Sequence, residues 1–132
     1  RRFFHPGMAF IEAEMEKPEM QDYVLPFAKA FSRLQQATAW LAQQGLRDPE
    51  EAGAAASDYL RLFGLTALAF MWARMAAVAL AKQAEGDETG FYGAKLTTAR
   101  FYMTRILPQT SSLFATIMAG KKPMMELEAE MF

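Results

Sequence analysis

The sequence contains no cysteine and a single histidine, His5, in 132 residues. The first absence removes disulfides, thiolate zinc or iron–sulfur sites and thiol catalysis together. The second removes multi-histidine metal sites and Glu-x-x-His di-metal centres. Valine and isoleucine number only five in all (Val24, Val78, Ile11, Ile106 and Ile117), too few for the core of a sheet. Surplus charge is missing as well. Fourteen Lys and Arg stand against fifteen Asp and Glu, and no basic stretch of the kind that neutralises phosphates occurs, which argues against a nucleic-acid binder. Without strands, no glycine-rich phosphate loop can follow one.

What is present is apolar and helix-forming. The chain is 52% hydrophobic and carries 24 alanines, so it is neither disordered nor sheet-forming. A chain of this length buries roughly two-thirds of its unfolded surface in one core. The expected fold is all-α: an up-down-up bundle of three long antiparallel helices with short helical additions at both ends. Residues 1–132 form one domain, with a lead-in over 1–19 and a tail over 121–132. Beginning at Arg1 with neither an initiator Met nor a signal-peptide apolar run, the sequence reads as the C-terminal fragment of a longer chain.

Local signals place the elements. A short helix is expected over about Ala9–Glu16, with Phe10 and Met15 facing inward and Pro18 stopping it. A long helix follows over about Met20–Gln44, with Phe27, Phe31, Leu34, Thr38 and Leu41 in one stripe and Gly45 as a left-handed stop. Asp48 and Pro49 cap and start the next helix, Glu50 and Glu51 oppose its dipole, and Gly86-Asp87 end it. Gly53 and Gly64 inside that helix predict close approach of a neighbour. The third helix, from Thr89 or Phe91 to Ala119, carries Tyr92, Leu96, Ala99, Met103, Ile106, Thr110, Leu113 and Ile117 at alternating spacings of 4 and 3. Pro108 predicts a kink within it, and Gly120 with Lys121-Lys122 its end. Connections of about three to five residues make the three helices antiparallel neighbours. Met124, Leu127 and Met131 would share one side of a short amphipathic tail.

Candidate functional residues are few. Leu62–Ala81 has the length of a membrane span, but Arg74 interrupts it, so a buried central helix is expected. A helix apolar nearly all round needs cover on nearly every side, and two neighbours cannot surround it. Part of it should therefore face a partner: a second copy or the remainder of a longer polypeptide. Phe63, Leu68, Met71, Trp72, Arg74 and Met75 form the candidate interface. Taken on residue type alone, Met71, Met75, Met103 and Met118 read as core, while Met124, Met125 and Met131 could dock onto a partner. Arg74 has no carboxylate among its helical neighbours, so it pairs with another segment or extends to solvent, a ligand or interface contact being the alternative. Glu12, Glu14, Glu16 and Glu19, with Glu126, Glu128 and Glu130, read as solvated faces rather than paired acids in a pocket. Ser57, Ser111 and Ser112 have no base beside them except remote His5. No catalytic, cofactor-binding or metal-ligating residue is identified.

One resemblance runs through nearly the whole chain, from Phe3 to Ala119. Leu34-x-x-Ala37-Thr38-x-Trp40-Leu41, then Asp58-Tyr59-Leu60-x-Leu62-x-Gly64 with Trp72 downstream, resemble the C-terminal extension domain of long bacterial acyl-CoA dehydrogenases. So does Phe91-Tyr92-x-x-Lys95-Leu96-x-x-Ala99-Arg100-Phe101-Tyr102, closing on Leu107-Pro108. That group includes 3-methylmercaptopropionyl-CoA dehydrogenase. The resemblance implies a non-catalytic helical domain behind a core that binds FAD and oxidises acyl-CoA thioesters to 2-enoyl-CoA, in the cytoplasm. The catalytic glutamate and flavin contacts would lie upstream, so none transfers to this chain. Partners would be the dehydrogenase core, a second copy in a dimer, and acyl-CoA only through the parent. A freestanding helical dimerisation or adaptor module is the alternative, and a peripheral membrane-associating helix pair a third.

Overall fold

The structure is a computed structural model that describes residues 4–120; the tail expected over 121–132 lies outside the described residues. Its elements are α1 (Phe4–Glu14), a 3-10 turn (Pro18–Met20), α2 (Gln21–Arg47), α3 (Pro49–Ala84), α4 (Phe91–Phe101), a π-helical turn (Tyr102–Ile106) and α5 (Gln109–Ala119). Among the described residues there is no strand, and the all-α class is the one the alanine-rich composition predicts. The contacts Phe27–Phe70 and Thr38–Tyr59 run α2 and α3 antiparallel. Tyr102–Leu65 and Arg61–Gln109 do the same for α3 and the third rod, which is α4, the π-turn and α5 in succession, while Tyr23–Arg100 and Arg33–Ser111 set that rod parallel to α2.

Termination signals decide the connections. Asp48 is the whole link between α2 and α3, shorter than the expected loop. Its carboxylate accepts from the Glu50 and Glu51 N–H groups at 3.1 and 3.4 Å, and Pro49 fills the first helical position. Gly45 was expected to stop α2 and does not. The helix continues through it to Arg47, and only Gly86, Gly90 and Gly120 take positive φ among the described residues. The cap at Asp48 is the stronger stop because it satisfies orphan donors that a mid-helix glycine leaves untouched. At the far end of α3, the Gly86 N–H bonds the Gln83 carbonyl and the Asp87 N–H the Lys82 carbonyl, with Gly86 at φ 97°, the left-handed helix ending its sequence predicts.

The lead-in is also longer than expected. α1 starts at Phe4 rather than near Ala9, since Pro6 lies in the first turn, where no intrahelical N–H is lost. Phe10 packs edge-on to Phe27 and Phe70, as expected, but Met15 lies beyond the end of α1 and is exposed. The core they enter is aromatic: Phe27 stacks on Phe70 at 5.3 Å and 16°, and Phe4 meets the edge of Phe31 at 5.8 Å. Gly7 is fitted to that core, because a Cβ there would stand 2.6 Å from the Phe31 ring.

Pro108 produces something other than a simple kink. It has no N–H for the Thr104 carbonyl, and its ring would clash with it. The Leu107 N–H instead reaches back five residues to the Tyr102 carbonyl at 2.9 Å, and residues Tyr102–Ile106 widen into a π-turn. The turn leaves Tyr102 and Met103 both buried and lets the Tyr102 hydroxyl donate to the Leu65 carbonyl on α3. Burial pushes that hydroxyl up to about 12.

Two outcomes follow. Gly7→Ala should lower stability by about 1–3 kcal/mol through overpacking against Phe31 despite better helix propensity. Tyr102→Phe should cost about 0.5–1.5 kcal/mol at neutral pH. The folded state holds the Tyr102 proton more tightly than the unfolded chain, so wild-type stability should fall as pH rises from about 10 towards 12. That decline should shrink in the Phe variant, as read by urea unfolding across that range.

Candidate interaction surface

Along its middle, the inner and outer faces of α3 differ in side-chain size. Its inner face is Ala55, Leu62, Thr66, Ala69, Ala73, Ala76 and Ala79, all buried. Four of these alanines, Ala69, Ala73, Ala76 and Ala79, are 0% exposed. Small side chains let neighbouring helices come close, and α2 and the third rod both press on this side. The bulk lies outside: Leu60, Leu68, Met71, Met75 and Val78 are exposed at 69%, 46%, 63%, 36% and 50%. With Gly64 they recur at spacings of 4, 4, 3, 4 and 3, so they form one stripe along the helix. Met71, Arg74, Met75 and Val78 line a shallow groove of 270 Å³ on it.

Of the candidate interface residues, Leu68, Met71, Arg74 and Met75 lie on this outer face. Phe63 and Trp72 sit on its flanks, partly buried and packed against the core. The expectation that Met71 and Met75 are core is overturned; Met103 is buried and Met118 half-buried. The inner face is already filled by alanines, which leaves these thioethers no place there. The expected close packing at Gly53 and Gly64 is overturned too. Nothing lies within 4 Å of a Cβ built at either, because both face outward. Leu60 and Val78 were missed, although the spacing that joins them to Leu68 and Met71 is plain once an outward-facing stripe is sought.

Arg74 is exposed and sits over the Phe70 ring, 5.3 Å from its centroid, with no ion pair among the described residues. No Asp or Glu occurs in the sequence between Asp58 and Glu85. The other candidate polar residues among the described ones stand apart: Ser111 accepts from Arg33, Ser57 and Ser112 are exposed, and His5 is exposed in the first turn of α1. Glu12, Glu16 and Glu19 are exposed, and Glu14 pairs with Lys17 at 2.7 Å. Among the described residues, no three of His, Asp and Glu gather as metal ligands. α3 is also the one helix among those residues long and apolar enough to cross a membrane, by length and composition; a core helix passes the same test, and 33% of its apolar window is buried.

The sequence profile of the family described as Acetyl-CoA dehydrogenase C-terminal like matches residues 4–128. The chain belongs to this family. No curated protein matches the chain. The profile covers every helix described above, so the alanine-faced α3 and its outer stripe lie inside a recognised acyl-CoA dehydrogenase C-terminal-like domain.

Because the stripe faces outward, Leu68→Gln and Met71→Gln in the isolated domain should each shift stability by no more than about 0.5 kcal/mol. Gly64→Ala should raise it by up to about 1 kcal/mol, since the site is helical and open. Chemical denaturation of the three variants checks both expectations.

Proposed function

We propose that this domain is a non-catalytic interaction module of an FAD-dependent acyl-CoA dehydrogenase, and that the outer face of α3 is where it seats on the rest of that enzyme. The parent would oxidise acyl-CoA thioesters to 2-enoyl-CoA with flavin and catalytic carboxylate supplied outside this chain, in the manner of the 3-methylmercaptopropionyl-CoA dehydrogenase group. Two things support the reading: membership of a C-terminal-like family of such enzymes, and the outward stripe of Leu60, Leu68, Met71, Met75 and Val78. The stripe carries it. Large apolar side chains left in water bury only part of their surface in the lone domain, and exposed patches of this kind mark contact surfaces.

Charge favours a partner other than a second copy. The stripe offers the cation of Arg74 and no acid, so pairing it with itself would bring like charges together without compensation. A complementary surface is apolar with a carboxylate placed to meet Arg74. Gly64, open on the same stripe, is where a neighbouring backbone or large side chain fits closest.

The double variant Leu68→Glu/Met71→Glu tests the reading in two settings. In the intact dehydrogenase it should lower the stability of the assembled enzyme by about 2 kcal/mol or more, given the apolar surface involved. In the isolated domain it should change little. The same loss in both settings, or none in either, contradicts the proposal. Isolated domain should also purify colourless and leave acyl-CoA unoxidised; a yellow, flavin-retaining preparation contradicts it.

A further inference from the structure

A cleft of 360 Å³ lies elsewhere, between α2 and the π-turn that Pro108 imposes. One wall is Leu25, Pro26, Lys29 and Arg33 on α2, and the other is Met103, Leu107, Pro108, Thr110 and Ser111. The two rods run parallel here, so the cleft is graded along its length. Leu25 and Pro26 meet the Met103 side at one end, and Arg33 meets Ser111 at the other, its Nη1 donating to Oγ at 2.6 Å.

Lys29 and Arg33 stand one turn apart on the same helix face. Like charges at that spacing repel and weaken a helix. No carboxylate lines the cleft, and neither residue makes an ion pair among the described residues. A second cleft of similar size, 380 Å³, shows the opposite arrangement: its Lys17 is already neutralised by Glu14, which raises the lysine pKa above its ordinary value. Two uncompensated cations beside an apolar trough, walled by a π-turn of the kind that recurs at functional sites, make a receptor for a particular chemistry.

We propose that this cleft binds a small anionic amphiphile, a carboxylate or phosphate ester with a short hydrocarbon body. The anionic head lies between Lys29 and Arg33 with the Ser111 hydroxyl beside it, and the hydrocarbon lies along Leu25, Pro26, Met103 and Leu107. The volume suits such a molecule, being at the small end of ordinary ligand pockets of roughly 300–1,000 Å³. Charge-assisted hydrogen bonds fix the head, and apolar contact favours the body over a bare ion. This site is independent of the α3 stripe, so its failure leaves the docking reading untouched.

Octanoate is the probe, titrated into the full 132-residue chain and followed by the methyl resonance of Met103 and by calorimetry, with octanol and inorganic phosphate as controls. Octanoate should bind and shift Met103, and each control should bind about tenfold more weakly or worse. Lys29→Gln/Arg33→Gln should weaken octanoate by about tenfold or more with the fold intact by circular dichroism, since neither side chain is buried. Leu25→Ser, at an exposed wall position, should weaken octanoate and leave phosphate unchanged. Equal binding of octanol and octanoate, an unaffected double variant, or no Met103 shift with octanoate would each overturn the assignment.

Discussion

Everything in this fold turns on the alanine face of α3. A helix of 36 residues at the centre of a three-rod bundle must let two other rods approach it, and Ala69, Ala73, Ala76 and Ala79 permit that approach. The aromatic cluster of Phe4, Phe10, Phe27, Phe31 and Phe70 then fills the space where α1 and α2 close over one side of α3. With Ala69, Ala73, Ala76 and Ala79 on the inner face, Leu68, Met71, Met75 and Val78 of the same stretch stand on the outer one. Core packing and exposed stripe are therefore one constraint seen from two sides. It ties the architecture of the domain to the surface on which the proposed function rests.

Much of this was legible from residue order. The α2 core positions Phe27, Phe31 and Leu34 follow from their helical spacing, and the α3 boundaries follow from Asp48-Pro49 and Gly86, because caps and left-handed endings are local chemistry. That the central helix carries more apolar surface than two neighbours can cover was legible too. Which side would be left uncovered was not. Apolar counting treats Ala73 and Met71 alike, whereas packing sorts them by volume, and so Met71 and Met75 were assigned to the core they do not enter. Gly53 and Gly64 misled as well, since a glycine in a helical sequence does not say which face it occupies, and both face outward with nothing within 4 Å of a Cβ.

The third rod hid its main feature. Its 4-and-3 spacing runs unbroken through Pro108, and a proline announces a lost hydrogen bond without specifying the repair. The repair is a π-turn. It sends Tyr102 to the Leu65 carbonyl and opens the trough beside Met103 and Leu107. Lys29 and Arg33 gave a sequence signal, two like charges one turn apart without an acid, but it acquires meaning only when α2 and the π-turn are seen to face each other across a cleft.

The account is tested most directly by peroxide oxidation of methionine, read by peptide mass, on the isolated domain and on the intact dehydrogenase. Sulfur oxidation follows solvent access, and Met71 is the most exposed apolar side chain near the middle of the outer face. Ready oxidation of Met71 in the isolated domain and strong protection in the intact enzyme, with Met103 shielded in both, is the predicted pattern. Equal oxidation of Met71 in the two settings would mean that nothing seats on α3, and the account would fall.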